Sequence, residues 1–580
     1  MQRRRSARAP AYADWCRRFD NLGPAERESL QQRQAALPGL PQIALLLLVP
    51  AAVDAEPASA RAALWASLRA QMFPVWSLLI GSAPDSDTAA LAWWQARLAE
   101  DPRARLVPLQ ERGAAGRRAL VAAANAPWVA FTDAGEQWRE HALLLLAEAT
   151  LRERDAVLVY ADEDRLNAAG RRVAPRFKCD WNPELLLGED CIGAPALWRT
   201  EHLLAAEALQ AAPDAAWQHD LALRATEGRP DHCIVHVPHV LLHRRSSPPA
   251  DAAASAQVVQ AHLDRRGVAA HAEALPAGVR VRFALPTPPP AVTIVIPTRN
   301  GLDLLRPCVD SLLKLTTYPR FDLLIVDNGS DDPACVEYLR QLAGRPGVGV
   351  LRDERPFNYS GLNNAAVARA GGEFVALVNN DIEVISPGWL DEMVALAAQP
   401  GVGAVGARLW YSDDTLQHGG IILGLNGFAG HAHRGARADE PGSHLRLHRL
   451  QRLCAVTAAC LVVRRSTYLQ AGGLDEQTFG VALNDADFCL RLRAAGLRIL
   501  WTPFADLYHH ESRTRGSDFQ DPARRQRFER ERDAFLQRWG ALVRRDPAYN
   551  PNLTLEREDF TLADPPRVSL ARPWFEHADA

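Results

Sequence analysis

Three apolar runs, Val292-Thr-Ile-Val-Ile-Pro297, Phe321-Asp-Leu-Leu-Ile-Val326 and Phe374-Val-Ala-Leu-Val378, constrain this chain more than any other feature. Continuous runs of this length suit strands buried on both faces, the condition of a parallel sheet. Helix-like segments at 303–314 and 363–369 separate them. Strand, helix, strand, helix, strand predicts an α/β doubly wound sheet. In such sheets ligands sit beyond the carboxyl ends of the strands. Each run here ends in polar residues: Thr298-Arg-Asn300, Asp327-Asn-Gly-Ser330 and Asn379-Asn-Asp381. One polar strand end is ordinary turn chemistry. Three in succession favour a nucleotide site.

At 580 residues the chain is too long for a single core. The stretch Leu285-Pro-Thr-Pro-Pro-Pro-Ala291 divides it, because proline continues neither a helix nor an interior strand. The half before this linker repeats the layout, with apolar runs at 43–49, 76–80 and 128–131. Pro50 to Gly135 and Pro297 to Asp381 differ in length by one residue, as do Gln218 to His243 and Asp485 to His509. Matching spacings in two places indicate duplication of a large domain. The second copy carries about 20 extra residues, placed around 417–452.

A net charge of -3 gives no pull towards nucleic acid or an anionic membrane. Nine cysteines without a Cys-x-x-Cys pair argue against a disulfide framework and for a reducing cytoplasm. The cluster Arg3-Arg-Arg5 has no apolar stretch behind it, so it does not read as a signal peptide. No apolar run approaches the roughly 20 residues that cross a bilayer.

Asp381, at a strand end, and His509, in Leu507-Tyr-His-His-Glu-Ser512, are candidate ligands for a divalent cation. Alone, an Asp after a strand is more often a turn residue, and a His pair more often structural. Asp485 and Asp487 open a helix in Asn484-Asp-Ala-Asp-Phe-Cys-Leu-Arg491. The helix dipole favours carboxylates there, which is the bland account. The same placement presents a base at the mouth of a cleft. Composition does not decide between the two.

Val292-Thr-Ile-Val-Ile-Pro-Thr298, Ile325-Val-Asp-Asn-Gly-Ser330, Phe357-Asn-Tyr-Ser360, Leu377-Val-Asn-Asn-Asp-Ile-Glu-Val384, Gly472-Gly-Leu-Asp-Glu476 and the Asn484–Arg491 segment resemble, in order, the signatures of glycosyltransferase family 2. The tail Asp546-Pro-Ala-Tyr-Asn-Pro-Asn-Leu553 resembles the ending of bacterial O-antigen and cell-surface, rhamnosyltransferase-like members. The resemblance implies two tandem GT-A domains, Rossmann-like nucleotide-diphospho-sugar transferase folds, with a helical C-terminal extension. The divisions are an N-terminal arm at 1–36, a degenerate copy at 37–285, a catalytic domain at 286–517 and the extension at 518–580.

The resemblance also implies an inverting transfer from a nucleotide-diphospho-sugar donor to a glycan or lipid-linked acceptor. Pro297, Thr298, Asp327, Asn328, Asn364 and Asn380 would hold the donor. Asp381 matches the last acid of the family's metal motif, whereas Asn379 stands where its first acid would be. Asp381 and His509 would therefore hold Mn²⁺ or Mg²⁺ with the diphosphate. His510 is the fallback, and His509 is preferred for aligning with His243 of the first copy. Asp485 matches the catalytic base.

The first copy resembles the family over the segment 155–165 and Phe177-Lys-Cys-Asp-Trp-Asn-Pro183, but its reactive positions differ. Ile80-Gly-Ser-Ala83 replaces the donor-binding Asp, Asp133-Ala-Gly135 the metal motif, and Gln218 the base. An amide has no useful basicity, and glycine has no side chain to ligate with. This half reads as a pseudo-transferase that supports the other half or binds acceptor glycan, and Asp162 and Asp164 as structural. The segment 524–532 reads as a solvated helix ending near Trp539, its mixed signs favouring solvation over contact with a cytoplasmic membrane face. Two rivals remain: a tandem polymerase with both halves active, and a glycan- or nucleotide-binding scaffold.

Overall fold

The computed structural model describes residues 11–54, 56–210, 212–245, 251–510 and 521–575. The Arg3–5 cluster, Glu511, Ser512 and the expected boundary at 517 lie outside the described residues. Two large sheets carry the fold. The first runs, strand beside strand, Ala104–Pro108, Trp76–Ser82, Ile43–Leu48, Trp128–Phe131, Ala196–Arg199, Leu158–Leu166, Ile234–Arg244, Glu136–Trp138. The second runs Val348–Arg352, Phe321–Asp327, Val292–Thr298, Phe374–Val378, Cys460–Arg464, Val402–Trp410, Arg498–His509, Ile382–Val384. Corresponding strands occupy corresponding places, so the topology repeats as the spacings predict.

The apolar runs are continuous because both faces are covered. Val292, Ile294 and Ile296 pack into one core while Val295 faces another. Phe374, Ala376 and Val378 alternate with Val375 and Leu377 in the same way. Ile43, Leu45 and Leu47 against Ala44 and Leu46 repeat the pattern in the first half. Such period-2 burial fixes register, since a one-residue slip would exchange the two faces. Both central strands pair in parallel with their neighbours on each side, Val292–Thr298 with Phe321–Asp327 and Phe374–Val378.

The sequence reading misses a hairpin just before the linker, Ala270–Leu275 with Gly278–Phe283. Its turn residue Gly278 has φ 132°, and a Cβ there would stand 2.5 Å from Gly188 O. The C-terminal helix also departs from expectation. It runs Pro522–Arg544, past Trp539, and one face is buried through Glu531, Phe535 and Val543. Glu531 accepts from the backbone N–H groups of Val481 and Ala482, and Arg538 pairs with Asp475 and Asp487. Charge counting missed this because the buried face is set by three positions in a long charged sequence.

Beyond that helix the tail crosses back to the first half. Asn550 donates to Asp162 Oδ2 at 2.8 Å and to Lys178 O at 2.7 Å, and Asn552 donates to Pro238 O at 3.0 Å. Trp15, on the N-terminal helix Tyr12–Phe19, donates to Ala563 O at 2.8 Å. Asp162 is also held by the Lys178 N–H and His236, and Asp164 by Tyr12, Arg172 and His243. Both carboxylates are occupied by structural partners. Replacing Asn550 by Leu strips a donor from a fully buried carboxylate and a carbonyl. The expected cost is about 3 kcal/mol, read as a lower denaturant midpoint at unchanged slope. A loss below about 1 kcal/mol would show that the tail does not brace the halves.

Candidate active site

Asp381 follows Phe374–Val378 and immediately precedes Ile382–Val384. That short strand pairs antiparallel with the end of Arg498–His509, placing Ile382 opposite His509. The register brings Asp381 Oδ1 to 3.4 Å from His509 Nε2, with Asn379 Nδ2 3.3 Å from the same nitrogen. Both side chains are buried, yet Asp381 Oδ1 and His509 Nδ1 have no hydrogen-bond partner among the described residues. An unpartnered carboxylate oxygen beside an imidazole is a donor set that fits a manganese- or magnesium-like cation. No group of three such side chains gathers among the described residues. Burial pushes the Asp381 carboxyl up, but His509 outweighs it and the net direction is below the usual carboxylate range. His510 is engaged elsewhere, 2.6 Å from Ser412 Oγ and 3.1 Å from Glu383 Oε2.

Strand pairing corrects one alignment. In the first half Glu136 stands opposite Arg244, and the Arg245 N–H donates to Gly135 O. In the second half Ile382 stands opposite His509, and the His510 N–H donates to Asp381 O. The counterpart of His509 is therefore Arg244, not His243. Equal segment lengths misled because the two sheets take register shifts at different places, after Ala161 and Asp162 in one and after Val402 and Gly406 in the other. Arg244 lies 3.5 Å from both Glu136 and Glu163. A guanidinium paired with two carboxylates thus stands at the first half's counterpart of His509.

Asp485 stands in the first turn of the helix Asn484–Ala494. It is half-buried, accepting from the N–H of Ala486 at 2.8 Å and of Ala458 at 3.2 Å. Desolvation holds its carboxyl above the usual range. Asp487, one residue beyond Ala486, has no exposed surface and is taken up by Arg491, Arg538 and Trp539. Of the two acids, only Asp485 is open to a substrate. Leu483, which precedes this helix, sits at φ 59°, a left-handed conformation that a leucine adopts only at a cost.

Tyr359 joins the two centres. Its hydroxyl lies 3.1 Å from both Asn379 Oδ1 and Ala458 O. Asn379 touches His509, and the Ala458 amide touches Asp485. Burial raises the Tyr359 hydroxyl first, and the Asp485 and Asp381 carboxylates raise it further. Both acids therefore act on one half-buried hydroxyl. The motif Phe357-Asn-Tyr-Ser360 was visible in sequence, but nothing in it marked the tyrosine as the link.

On the donor side, Asn380 Nδ2 donates to Thr298 Oγ1 at 3.0 Å, tying together the ends of two central strands beside buried Pro297. Asp327 accepts from the Ser330 N–H at 2.9 Å and pairs with Arg352 at 2.6 Å. Asn328 donates to the carbonyls of Asp353 and Arg355, leaving its buried Oδ1 without a partner among the described residues. Asn364 lies elsewhere. Its amide donates to Leu474 O and Glu476 Oε2 and accepts from the Leu474 N–H and the Tyr468 hydroxyl, so it pins the loop 472–476. Helical spacing turns it to that loop, away from the strand ends.

Beside Gln218 in the first copy only about 20 Å³ of space remains. Phe131 and Trp217 meet edge to face at 5.1 Å, with Arg117 over the indole at 4.2 Å. These side chains pack closely beside Gln218.

Residues 293–448 match the profile of Glycosyl transferase family 2. The chain is 40% identical over 515 residues to the uncharacterized protein y4gI of Sinorhizobium fredii, covering 86% of this chain and 56% of that one. It is 35% identical over 573 residues to the O-antigen biosynthesis protein RfbC of Myxococcus xanthus, covering 95% of this chain and 43% of that one. It is 27% identical over 236 residues to the N-acetylglucosaminyl-diphospho-decaprenol L-rhamnosyltransferase of Mycobacterium tuberculosis, covering 36% of this chain and 72% of that one. The chain spans about half the length of the first two relatives.

Proposed function

We propose, from the premise that residues 293–448 of this chain belong to glycosyl transferase family 2, that its second half moves a sugar from a nucleotide-diphosphate donor to a glycan or lipid-linked acceptor in cell-surface polysaccharide synthesis. What supports this reading most is the linked arrangement of Asp381, His509 and Asp485 around Tyr359. Asp381 and His509 would hold a divalent cation, which when bound neutralises charge on the departing diphosphate. Pro297, Thr298, Asp327, Asn328 and Asn380 would hold the nucleoside. Asp485 would take the proton of the acceptor hydroxyl as that oxygen attacks opposite the leaving group, inverting the anomeric carbon. The relatives named for O-antigen and rhamnosyl transfer favour a bacterial envelope glycan.

The catalytic unit would comprise residues 286–517 and the companion residues 37–285. Gln218, Arg244 and the close aromatic packing beside Gln218 support a companion without chemistry of its own. A lipid-linked acceptor implies work at the cytoplasmic face of a membrane. No described helix is long and apolar enough to cross one.

The test is a screen of UDP-, dTDP- and GDP-sugars for nucleoside diphosphate release, with Mn²⁺, with Mg²⁺ and with EDTA. Release from at least one donor, abolished by EDTA, is expected. No release from any donor with any acceptor would return the chain to the scaffold reading. The raised Asp485 carboxyl gives a second expectation. A base must be ionised to act, so kcat/KM falls as pH drops through its pKa. That acid limb should lie above the ordinary carboxylate value of about 4 and should be absent from Asp485→Asn.

A further inference from the structure

The proposed reaction leaves one large feature of the molecule unused. A cavity of about 430 Å³ opens where the two halves meet, within the range of small-molecule sites. Its walls are firmly joined. Asn182 donates to Arg452 O at 2.9 Å and accepts from the Arg452 N–H at 3.1 Å, and the Asp180 N–H donates to Pro547 O at 2.9 Å. The space is therefore a built site rather than a gap between loosely placed bodies.

We propose that this seam cavity is a second, non-catalytic site that binds a neutral oligosaccharide, the already grown part of an extended acceptor. This rests on the transferase reading above. Half-buried Trp181 lines the cavity, and an indole face suits the apolar C–H face of a pyranose ring; Trp574 backs the wall with Arg545 over its ring at 5.5 Å. The charged lining alternates in sign. Arg452 pairs with Glu184 and Asp231, and Arg545 lies 3.6 Å from Asp180. A phosphate would meet carboxylates as well as guanidinium groups there. A sugar hydroxyl, which donates and accepts together, can use both. Donors for it stand in the lining: His232 is exposed, and the half-buried Arg493, whose Nη1 donates to Leu453 O at 3.2 Å, carries a guanidinium with five N–H groups.

The cavity is separate from the transfer site, though a single helix reaches both. Asn484–Ala494 carries Asp485 at one end and Arg493 at the other, about 12 Å apart along its axis. A short acceptor cannot occupy both places, whereas a long one can. Tethering at the seam would raise the local concentration of its growing end.

The experiment uses the full chain on an array of bacterial O-polysaccharide fragments, from monosaccharide to octasaccharide. Wild type and Asp485→Asn should retain the same longer fragments. Trp181→Ala, or His232→Ala at an exposed lining position should the first fail to fold, should weaken retention at least about tenfold. In transfer assays Trp181→Ala should raise KM for the longest acceptor only, leaving kcat and the short-acceptor KM unchanged. Retention of no fragment, retention untouched by both lining variants, or lining variants that lose UDP instead of sugar would overturn the proposal. Trp181-dependent retention in a protein that releases nucleotide from no donor would leave the sugar site standing and sink the transfer reading instead.

Discussion

Asp485→Asn should lower kcat by about 10²–10⁴-fold, the usual contribution of a positioned base, with donor KM nearly unchanged. The substitution keeps size, and the amide oxygen can still accept from the Ala458 N–H now bonded to the carboxylate, while the bond from the Ala486 N–H is given up. The carboxylate's charge and its proton affinity are removed. The matching substitution in the first half, Gln218→Ala, should change kcat by less than about twofold, because a group without basicity gives up none. Steady-state kinetics on both variants, with circular dichroism to confirm folding, checks the pair. Comparable losses from both would mean that the halves share the chemistry, as in the tandem polymerase reading.

Asp381→Asn should be nearly as damaging, lowering kcat/KM by about 10²–10³-fold at fixed metal concentration. The reason differs. Asp381 Oδ1 is a buried oxygen with no hydrogen bond among the described residues, 3.4 Å from His509 Nε2, and Asn379 supplies no second charge. Asp381 is thus the one carboxylate that the motif 379–381 can offer a cation. Its loss should be partly repaired by excess Mn²⁺, since the diphosphate still binds metal. An Asp485→Asn deficit should not respond. A metal titration of the two variants separates the roles, and identical titration curves would contradict the assignment.

Much of the architecture was legible because double-sided burial writes itself into sequence. Val292–Thr298 and Phe374–Val378 are almost unbroken apolar runs since neither face meets water, and the proposed donor site lies at their polar ends. The repeat was legible for the same reason, as both copies need the same strands at the same intervals. Register was not. His243 looked equivalent to His509 because chain lengths matched, but a β-bulge moves every later side chain by one place without changing length enough to notice. Arg244 is the true counterpart, and only strand pairing reveals it.

Long-range polar bonds were also hidden. Tyr359 reaches Asn379 and Ala458 across the site, and Asn364 gives its amide to a loop more than a hundred residues onward. Nothing local distinguishes these residues from others of their type. The tail was the reverse case. Asp546-Pro-Ala-Tyr-Asn-Pro-Asn-Leu553 stood out as a motif, and its asparagines hold the two halves together through Asp162, Lys178 and Pro238.

Electron paramagnetic resonance of Mn²⁺ with UDP, read on the full chain, tests the core of this account without requiring the natural acceptor. Wild type and Asp485→Asn should bind Mn²⁺ alike, while Asp381→Asn and His509→Ala should each weaken it at least about tenfold. Equal binding by all four proteins, or a loss in Asp485→Asn as deep as in Asp381→Asn, would show that the cation and the base do not divide between these residues.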